Sequence, residues 1–299
     1  MRKKIAIGLL STTMAISLVG GSVYARSSKR AAWNDASSEV NALSTVRDAC
    51  YVEDGSETDE HTVASNVYAN SEEWNAFKSN WETVRNDYEK VALTPGENET
   101  EVNLAWYSKT VETPRVKLMD NNGKTIKIFK GVQDAENVES FVKDGNQMTL
   151  YPNKVTVTGL KENTSYKYAY LLNGKWSETY DYQTQDSNEF SVLYVGDPQI
   201  GASTGQTTAD GKSSSENGKE YYAMNDAYNW EHTLAQAVKA NPDLSFILSA
   251  GDQINQTGVS SDSEKIQQQI EYSGFLNPSI LRSLPLATTI GNHDSKSHN

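Results

Sequence analysis

The spacing of apolar residues divides the chain into regions of different period. From 26 to 69 Ser, Ala, Asn, Asp and Glu dominate and apolar positions are scattered. A loosely ordered lead-in is expected there, with a helix around 36–49. Between Asn70 and Tyr88 the pattern sharpens: Trp74, Phe77, Trp81, Val84 and Tyr88 recur at steps of three and four, on one helical face. Asn70, with Glu73 three residues later, supplies an N-terminal cap. Such an aromatic stripe is expected to pack against the next domain.

From 91 to 186 the period falls to two. Val102, Leu104 and Trp106 alternate with polar partners, as do Val116 and Leu118, Ile126 and Ile128, and Val155 and Val157. Asn121-Asn122-Gly123 and Leu172-Asn173-Gly174 are turn signals between such runs. Several short strands in this stretch predict an all-β sandwich of immunoglobulin or fibronectin type. Leu160 to Tyr166, followed by Lys167-Tyr168, has the pattern of a tyrosine corner, with the Tyr166 hydroxyl bonded back to upstream backbone.

After Glu189 strands and helices alternate. Phe190–Val195, Leu244–Leu248 and Leu284–Ile290 read as buried strands. Tyr221–Ala240 reads as a helix ended by Asn241-Pro242, and Ser261–Arg282 as mostly helical with breaks near Gly274 and Pro278. This alternation predicts a parallel sheet. A Gly/Ser/Thr-rich loop runs from Gly201 to Lys219.

Three motifs follow those strands: Gly196-Asp197-Pro198-Gln199, Gly251-Asp252-Gln253-Ile254-Asn255 and Gly291-Asn292-His293-Asp294. Open α/β sheets place their sites at the C-terminal ends of strands. A dinuclear hydrolytic centre needs a bridging anionic oxygen, further ligands for each cation and an acid for the leaving group. Asp252 suits the bridge, Asp197 a terminal position on one metal, and Asn292 a neutral oxygen for the other. Gln199 is an additional candidate ligand. His293 is expected to face the phosphate and protonate the leaving oxygen, and Asp294 to hold that imidazole in the right tautomer. Any one Gly-Asp pair is an ordinary turn; the ordered set of three carries the reading. His232 reads as a packing or surface histidine, His61 as solvated, and His298 as lying near the third motif without a metal role.

Composition narrows the picture. Lys and Arg number 27 against 39 Asp and Glu, a net charge of −12, which disfavours nucleic-acid polymers and anionic lipid. A small phosphate ester held at a metal is still compatible, because the cation dominates locally. Arg2, Lys3 and Lys4, then the apolar run Ile5–Val19, then Val23-Tyr24-Ala25 read as a secretory signal peptide over residues 1–25. That implies a secreted or cell-surface protein with no membrane span after cleavage, compatible with cell-wall association. Cys50 is the only cysteine, so no internal disulfide is expected.

The three motifs resemble those of calcineurin-like metallophosphoesterases. The sandwich ahead of them, with Leu93-Thr94-Pro95-Gly96 leading into Val102–Trp106, resembles the N-terminal domain of purple acid phosphatases. The resemblance implies a lead-in over 26–87, a fibronectin type III-like domain over 88–186, and over 189–299 the first half of an α/β metallophosphoesterase sandwich. It further implies two divalent or trivalent metal ions (Fe, Zn, Mn or similar) and hydrolysis of phosphate monoesters by metal-activated hydroxide. Against the family pattern, Gln199 stands where many relatives have His, and Asn255 where purple acid phosphatases have the Tyr that gives the colour. No residues match the family's later His and its Gly-His-x-His, so the chain reads as C-terminally truncated and by itself inactive. Two alternatives remain: a non-catalytic surface-binding protein with a degenerate phosphoesterase domain, and a nucleotide or phosphodiester hydrolase.

Overall fold

The computed structural model describes residues 10–11, 71–206, 208 and 218–294. The expected helix at 36–49, the Asn70 cap, Cys50, His61, His298 and most of the signal segment lie outside the described residues. In chain order the elements are β1 (Leu10–Ser11), α1 (Ser71–Asn86), β2 (Ala92–Pro95), β3 (Glu101–Ser108), β4 (Arg115–Asp120), β5 (Thr125–Lys130), β6 (Val132–Gln133), β7 (Glu139–Lys143) and β8 (Asn146–Thr158). They continue with β9 (Ser165–Leu172), β10 (Lys175–Trp176), β11 (Tyr180–Gln183), β12 (Ser191–Gly196), α2 (Lys219–Ala240), β13 (Leu244–Ser249), α3 (Asp262–Phe275), a 3₁₀ turn (Ser279–Arg282) and β14 (Leu286–Thr288).

Strands β2 to β11 form two antiparallel sheets. One runs β2-β3-β8-β6, with β7 on the first half of β8; the other runs β10-β9-β4-β5, with β11 on β9. The alternation read from sequence is the reason the sheets pack. Val102, Leu104 and Trp106 from β3 and Val155 and Val157 from β8 bury their side chains against Val116, Leu118, Tyr166, Tyr168 and Tyr170 of the other sheet. The Lys161 amide donates to the Tyr166 hydroxyl at 2.9 Å, the back-bond expected of the corner. Asn173 and Gly174 both take left-handed backbone in the β9–β10 turn, as a tight hairpin requires.

One strand departs from expectation. Ile126 and Ile128 on β5 face solvent, and Phe129 is the residue that turns inward. The register explains Ile128: core-facing Val116 pairs with Phe129, which leaves Ile128 opposite Lys117 on the outer face, while a shift between Leu118 and Met119 leaves Ile126 without a cross-strand partner.

The second unit is a parallel sheet in the order β1-β12-β13-β14, where β1 comes from the segment read as a signal peptide. Leu193, Val195 and Ile247 point to one face, where α1, α2 and α3 cover them. The aromatic stripe of α1 therefore does not pack on the sandwich that follows it in sequence. Trp74, Trp81 and Val84 join Tyr221, Met224, Tyr228 and Trp230 in the α/β core, with Trp74 and Tyr228 edge-on at 5.2 Å. Tyr88, one turn further on, is the stripe's only member that packs with the sandwich residues Phe141 and Leu150.

The two units are joined directly. Tyr168 donates its hydroxyl to the Arg282 carbonyl at 2.7 Å, and the Lys265 ammonium donates to the Ser140 carbonyl at 3.0 Å. The Arg282 side chain is buried and donates to the Leu276 and Pro278 carbonyls. No described helix is long and apolar enough to cross a membrane.

Candidate metal centre

The parallel ladder does not stop where β12 and β13 end. The Asp197 amide donates to the Gly251 carbonyl at 3.2 Å, Gln199 to Asp252 at 2.8 Å, Ile200 to Gln253 at 3.1 Å, and Asn255 back to Ile200 at 3.0 Å. The first two motifs are thus zipped side by side. The third is drawn in by Asp252, whose Oδ1 accepts from the His293 amide at 2.8 Å. Gly291 is required at this meeting point: a Cβ there would lie 2.1 Å from Asp252 Oδ1 and 2.4 Å from its amide nitrogen.

Asp197, Gln199 and Asp252 all hold left-handed backbone, at φ of 58°, 38° and 49°. For residues with a Cβ this conformation is strained, and strain of this kind clusters at functional sites. Asp197 opens to solvent, Asp252 is half-buried and Asn292 is exposed. Partial loss of water raises the pKa of the Asp197 carboxyl above its ordinary value, and repulsion from Asp252 adds to it, while His293 opposes the rise. A cation would relieve that repulsion.

His293 is held at both ring nitrogens. Nδ1 lies 2.8 Å from the Asn255 carbonyl, and Nε2 lies 2.9 Å from Gln199 Nε2. A carbonyl can only accept, so Nδ1 carries the proton and Nε2 presents its lone pair to the Gln199 amide. The expectation that Asp294 orients this ring is corrected here. The Asp294 carboxylate is buried and accepts from the Gln253 amide at 3.1 Å and the Gly291 amide at 2.9 Å. It braces the second and third loops against each other, and backbone takes the place at Nδ1 that a carboxylate was expected to fill. Gln199 lies against His293, placed to compete with any role as a ligand.

Two buried carboxylates beneath these loops were not singled out in the sequence. Asp226, on α2, accepts from the Gly201 amide at 2.8 Å and the Ser203 amide at 3.1 Å. Glu271, on α3, accepts from the amides of Asn255 at 3.0 Å and Gln256 at 2.6 Å, and from the Gln267 side chain at 2.9 Å. Burial pushes the Asp226 carboxyl up to about 6, against which Ser203 and the loop amides act. Burial likewise pushes Glu271 up to about 7, opposed by Gln267 and the two loop amides. Nothing in the helical periodicity marks them, because Asp226 and Glu271 each sit on the face that apolar residues otherwise occupy. His232 is half-buried on α2, 3.8 Å from Glu73 and tilted against Tyr228, a packing position as read.

The donors gathered at the strand ends are oxygen-rich: two carboxylates, with the Asn292 and Gln199 amides nearby. Hard cations fit that chemistry. Among the described residues, no three His, Cys, Asp or Glu side chains converge as a metal-holding cluster. Asp197 and Asp252 thus fit part of a cation site and do not complete a pair of metal shells.

Residues 88–184 match the family model of the purple acid phosphatase N-terminal domain. The sandwich is thus similar to that domain, in line with the purple acid phosphatase-like resemblance read from the sequence. Among solved structures, purple acid phosphatase PPD1 from seeds of yellow lupin (Lupinus luteus) is similar at 18% identity and a TM-score of 0.43, over 70% of this chain and 39% of that one. A structure of PhoD is similar at 13% identity and a TM-score of 0.41, over 70% and 40%. The chain thus spans about two fifths of each of these proteins. No curated protein sequence matches the chain.

Proposed function

We propose that the protein is a metal-dependent phosphoesterase acting on phosphate monoesters, with Asp197, Asp252 and Asn292 as metal ligands and His293 as the proton donor to the leaving group. The observation that carries this reading is the meeting of Asp197, Asp252 and His293 where three neighbouring parallel strands end, tied together by the Asp252–His293 contact of 2.8 Å. When bound, cations there would supply positive charge and an activated water for the attack. The chain's own residues do the rest. Asp197 and Asp252 would hold the positive charge, and the Asn255 carbonyl anchors Nδ1–H so that Nε2, after the ring takes up a proton there from solvent, is the nitrogen that gives that proton to the leaving oxygen. Gln199 occupies the space before Nε2 and would have to swing aside for a substrate.

The same reading takes residues 1–25 as an export signal, the sandwich as fibronectin type III-like, and residues 189–299 as a metallophosphoesterase half-domain. The rival is a surface-binding protein with a degenerate catalytic unit. One observation favours it: the three-residue metal cluster missing among the described residues.

Release of phosphate from a chromogenic monoester by the whole protein tests both. The expected result is activity abolished by excess chelator and lowered roughly a hundred- to a thousand-fold by Asp252→Asn, the scale of losing one electrostatic stabiliser of the transition state. Turnover unchanged by both treatments would remove the metal reading. Absence of turnover, with no metal bound by elemental analysis, would favour the binding protein.

A further inference from the structure

His293 has a carboxylate partner that it never touches. Its Nδ1 bonds to the carbonyl of Asn255 at 2.8 Å. That carbonyl and the Gln256 amide belong to one peptide group, and a trans peptide points them in opposite directions. The Gln256 amide donates to Glu271 Oε2 at 2.6 Å, the shortest of the carboxylate's contacts. Carboxylate, peptide and imidazole therefore lie in line.

We propose that Glu271 is the positioning carboxylate of His293, acting through the Asn255–Gln256 peptide group. This rests on the reading of His293 as the proton donor. A carboxylate that accepts the peptide N–H shifts electron density toward the carbonyl, and hydrogen bonds in such a chain strengthen one another. The Asn255 oxygen becomes a better acceptor for Nδ1–H, and the ring is held in one tautomer and one orientation. A carboxylate–histidine pair does this in one step; here a peptide is interposed.

The surroundings are built for the carboxylate. Glu271 is 1% exposed. The same Oε2 also accepts from the Asn255 amide at 3.0 Å, which fixes the near side of that residue. Gly201, at φ +106°, makes the room: a Cβ there would lie 2.3 Å from Glu271 Oε1. Asp226 ties the Gly201 amide from the other helix, and the Asn255 side chain donates to the Gly201 carbonyl at 3.3 Å.

The test is Glu271→Gln in the whole chain, which keeps the volume and one acceptor oxygen and removes the charge. The first readout is the ¹⁵N spectrum of labelled histidine. In the parent, His293 is expected in the Nδ1–H tautomer; in the variant a measurable fraction moves to Nε2–H, and the Gln256 amide proton moves upfield. A folded variant whose His293 ring shifts and Gln256 amide shift match the parent overturns the proposal. The second readout is leaving-group dependence. Turnover of an ester with a poor leaving group falls roughly ten-fold, a part of the roughly hundred- to ten-thousand-fold that general acid catalysis supplies, and that of a nitrophenyl ester, which leaves unaided, stays within about two-fold. A loss equal for both esters overturns it, since a disturbed loop would lower both. The spectra stand without any turnover, so failure of the phosphoesterase reading and failure of the relay are told apart. Should the variant not fold, the unaltered chain decides: a downfield, exchange-protected Gln256 amide is expected, and an ordinary amide there overturns the relay.

Discussion

The sandwich and the α/β unit place strained backbone in opposite positions. In the sandwich the left-handed residues with side chains are Asp144, Asn163 and Asn173. Two precede a glycine in a hairpin turn, and Asp and Asn are the residue types that tolerate this conformation best. In the α/β unit they are Asp197, Gln199 and Asp252, at the candidate site, and Gln199 has no such tolerance. Buried charge follows the same division. The sandwich core is aliphatic and aromatic, while the α/β unit buries Asp226, Glu271 and Asp294 beneath and between its loops. One unit spends its sequence on stability; the other gives up stability to hold three loops in fixed relation.

The first way to sharpen this contrast is pH, where the largest effect is expected. Asp226 sits among the Gly201, Ala202 and Ser203 amides, the Ser203 hydroxyl, the Asn225 side chain and the Glu271 charge. Its carboxyl, ordinarily at 3.8, is pushed up to about 6 in the folded chain. A folded pKa above the unfolded one means that the folded state holds the proton more tightly. The stability from this source is fully present below about pH 4 and lost as pH rises through about 6. A shift of this size corresponds to a few kcal/mol. Asp226→Asn is expected to flatten that part of the profile in denaturant unfolding followed by a probe of the α/β unit, such as Trp230 fluorescence. An unchanged slope would show that the buried carboxylate is not what the unit gives up.

The second prediction concerns the sandwich. Tyr166→Phe removes the acceptor for the Lys161 amide and is expected to cost about 1–3 kcal/mol through the unpaired donor. The cost should be the same at pH 4 and pH 7, since no carboxylate takes part. A melting point that does not move would remove the corner as a source of stability.

The smallest effect is the most pointed. Asp197→Gly removes a left-handed Cβ together with a partly desolvated carboxylate that Asp252 repels, and is expected to stabilise the chain by about 1 kcal/mol while abolishing phosphate release. Asn173→Gly, at a turn that already tolerates the conformation, should change stability by only a few tenths of a kcal/mol. If Asp197→Gly is destabilising, the carboxylate is contributing to folding and the division between the two units is less sharp than drawn.

Much of the fold could be read from spacing alone, because period two and period 3.6 record which faces are buried. The strands from Val102 to Val157 and the alternation after Phe190 lie where their patterns put them. Ile126 and Ile128 share one face, but a spacing of two does not say which face meets the core: Phe129, paired with buried Val116, takes the inner one. The α1 stripe announced that it would be buried, but periodicity does not name a partner, and Trp74 packs more than a hundred residues downstream. At the site, Asp197, Asp252 and His293 could be listed from their motifs. The partner of His293 could not, because a backbone carbonyl leaves no trace in side-chain identity. Asp294 was the nearest carboxylate in sequence, and the loop's need for amide acceptors claimed it first.

The Tyr168–Arg282 bond has a mechanical consequence. Tyr168 lies on a central strand of the sandwich, and Arg282 closes the 3₁₀ turn that leads into β14. β14 in turn delivers Gly291, Asn292 and His293. A displacement of the sandwich carried by this bond would reach the third motif along β14 and the two residues after it. His293, whose amide is bonded to Asp252 from the other side, is where such a displacement would be felt.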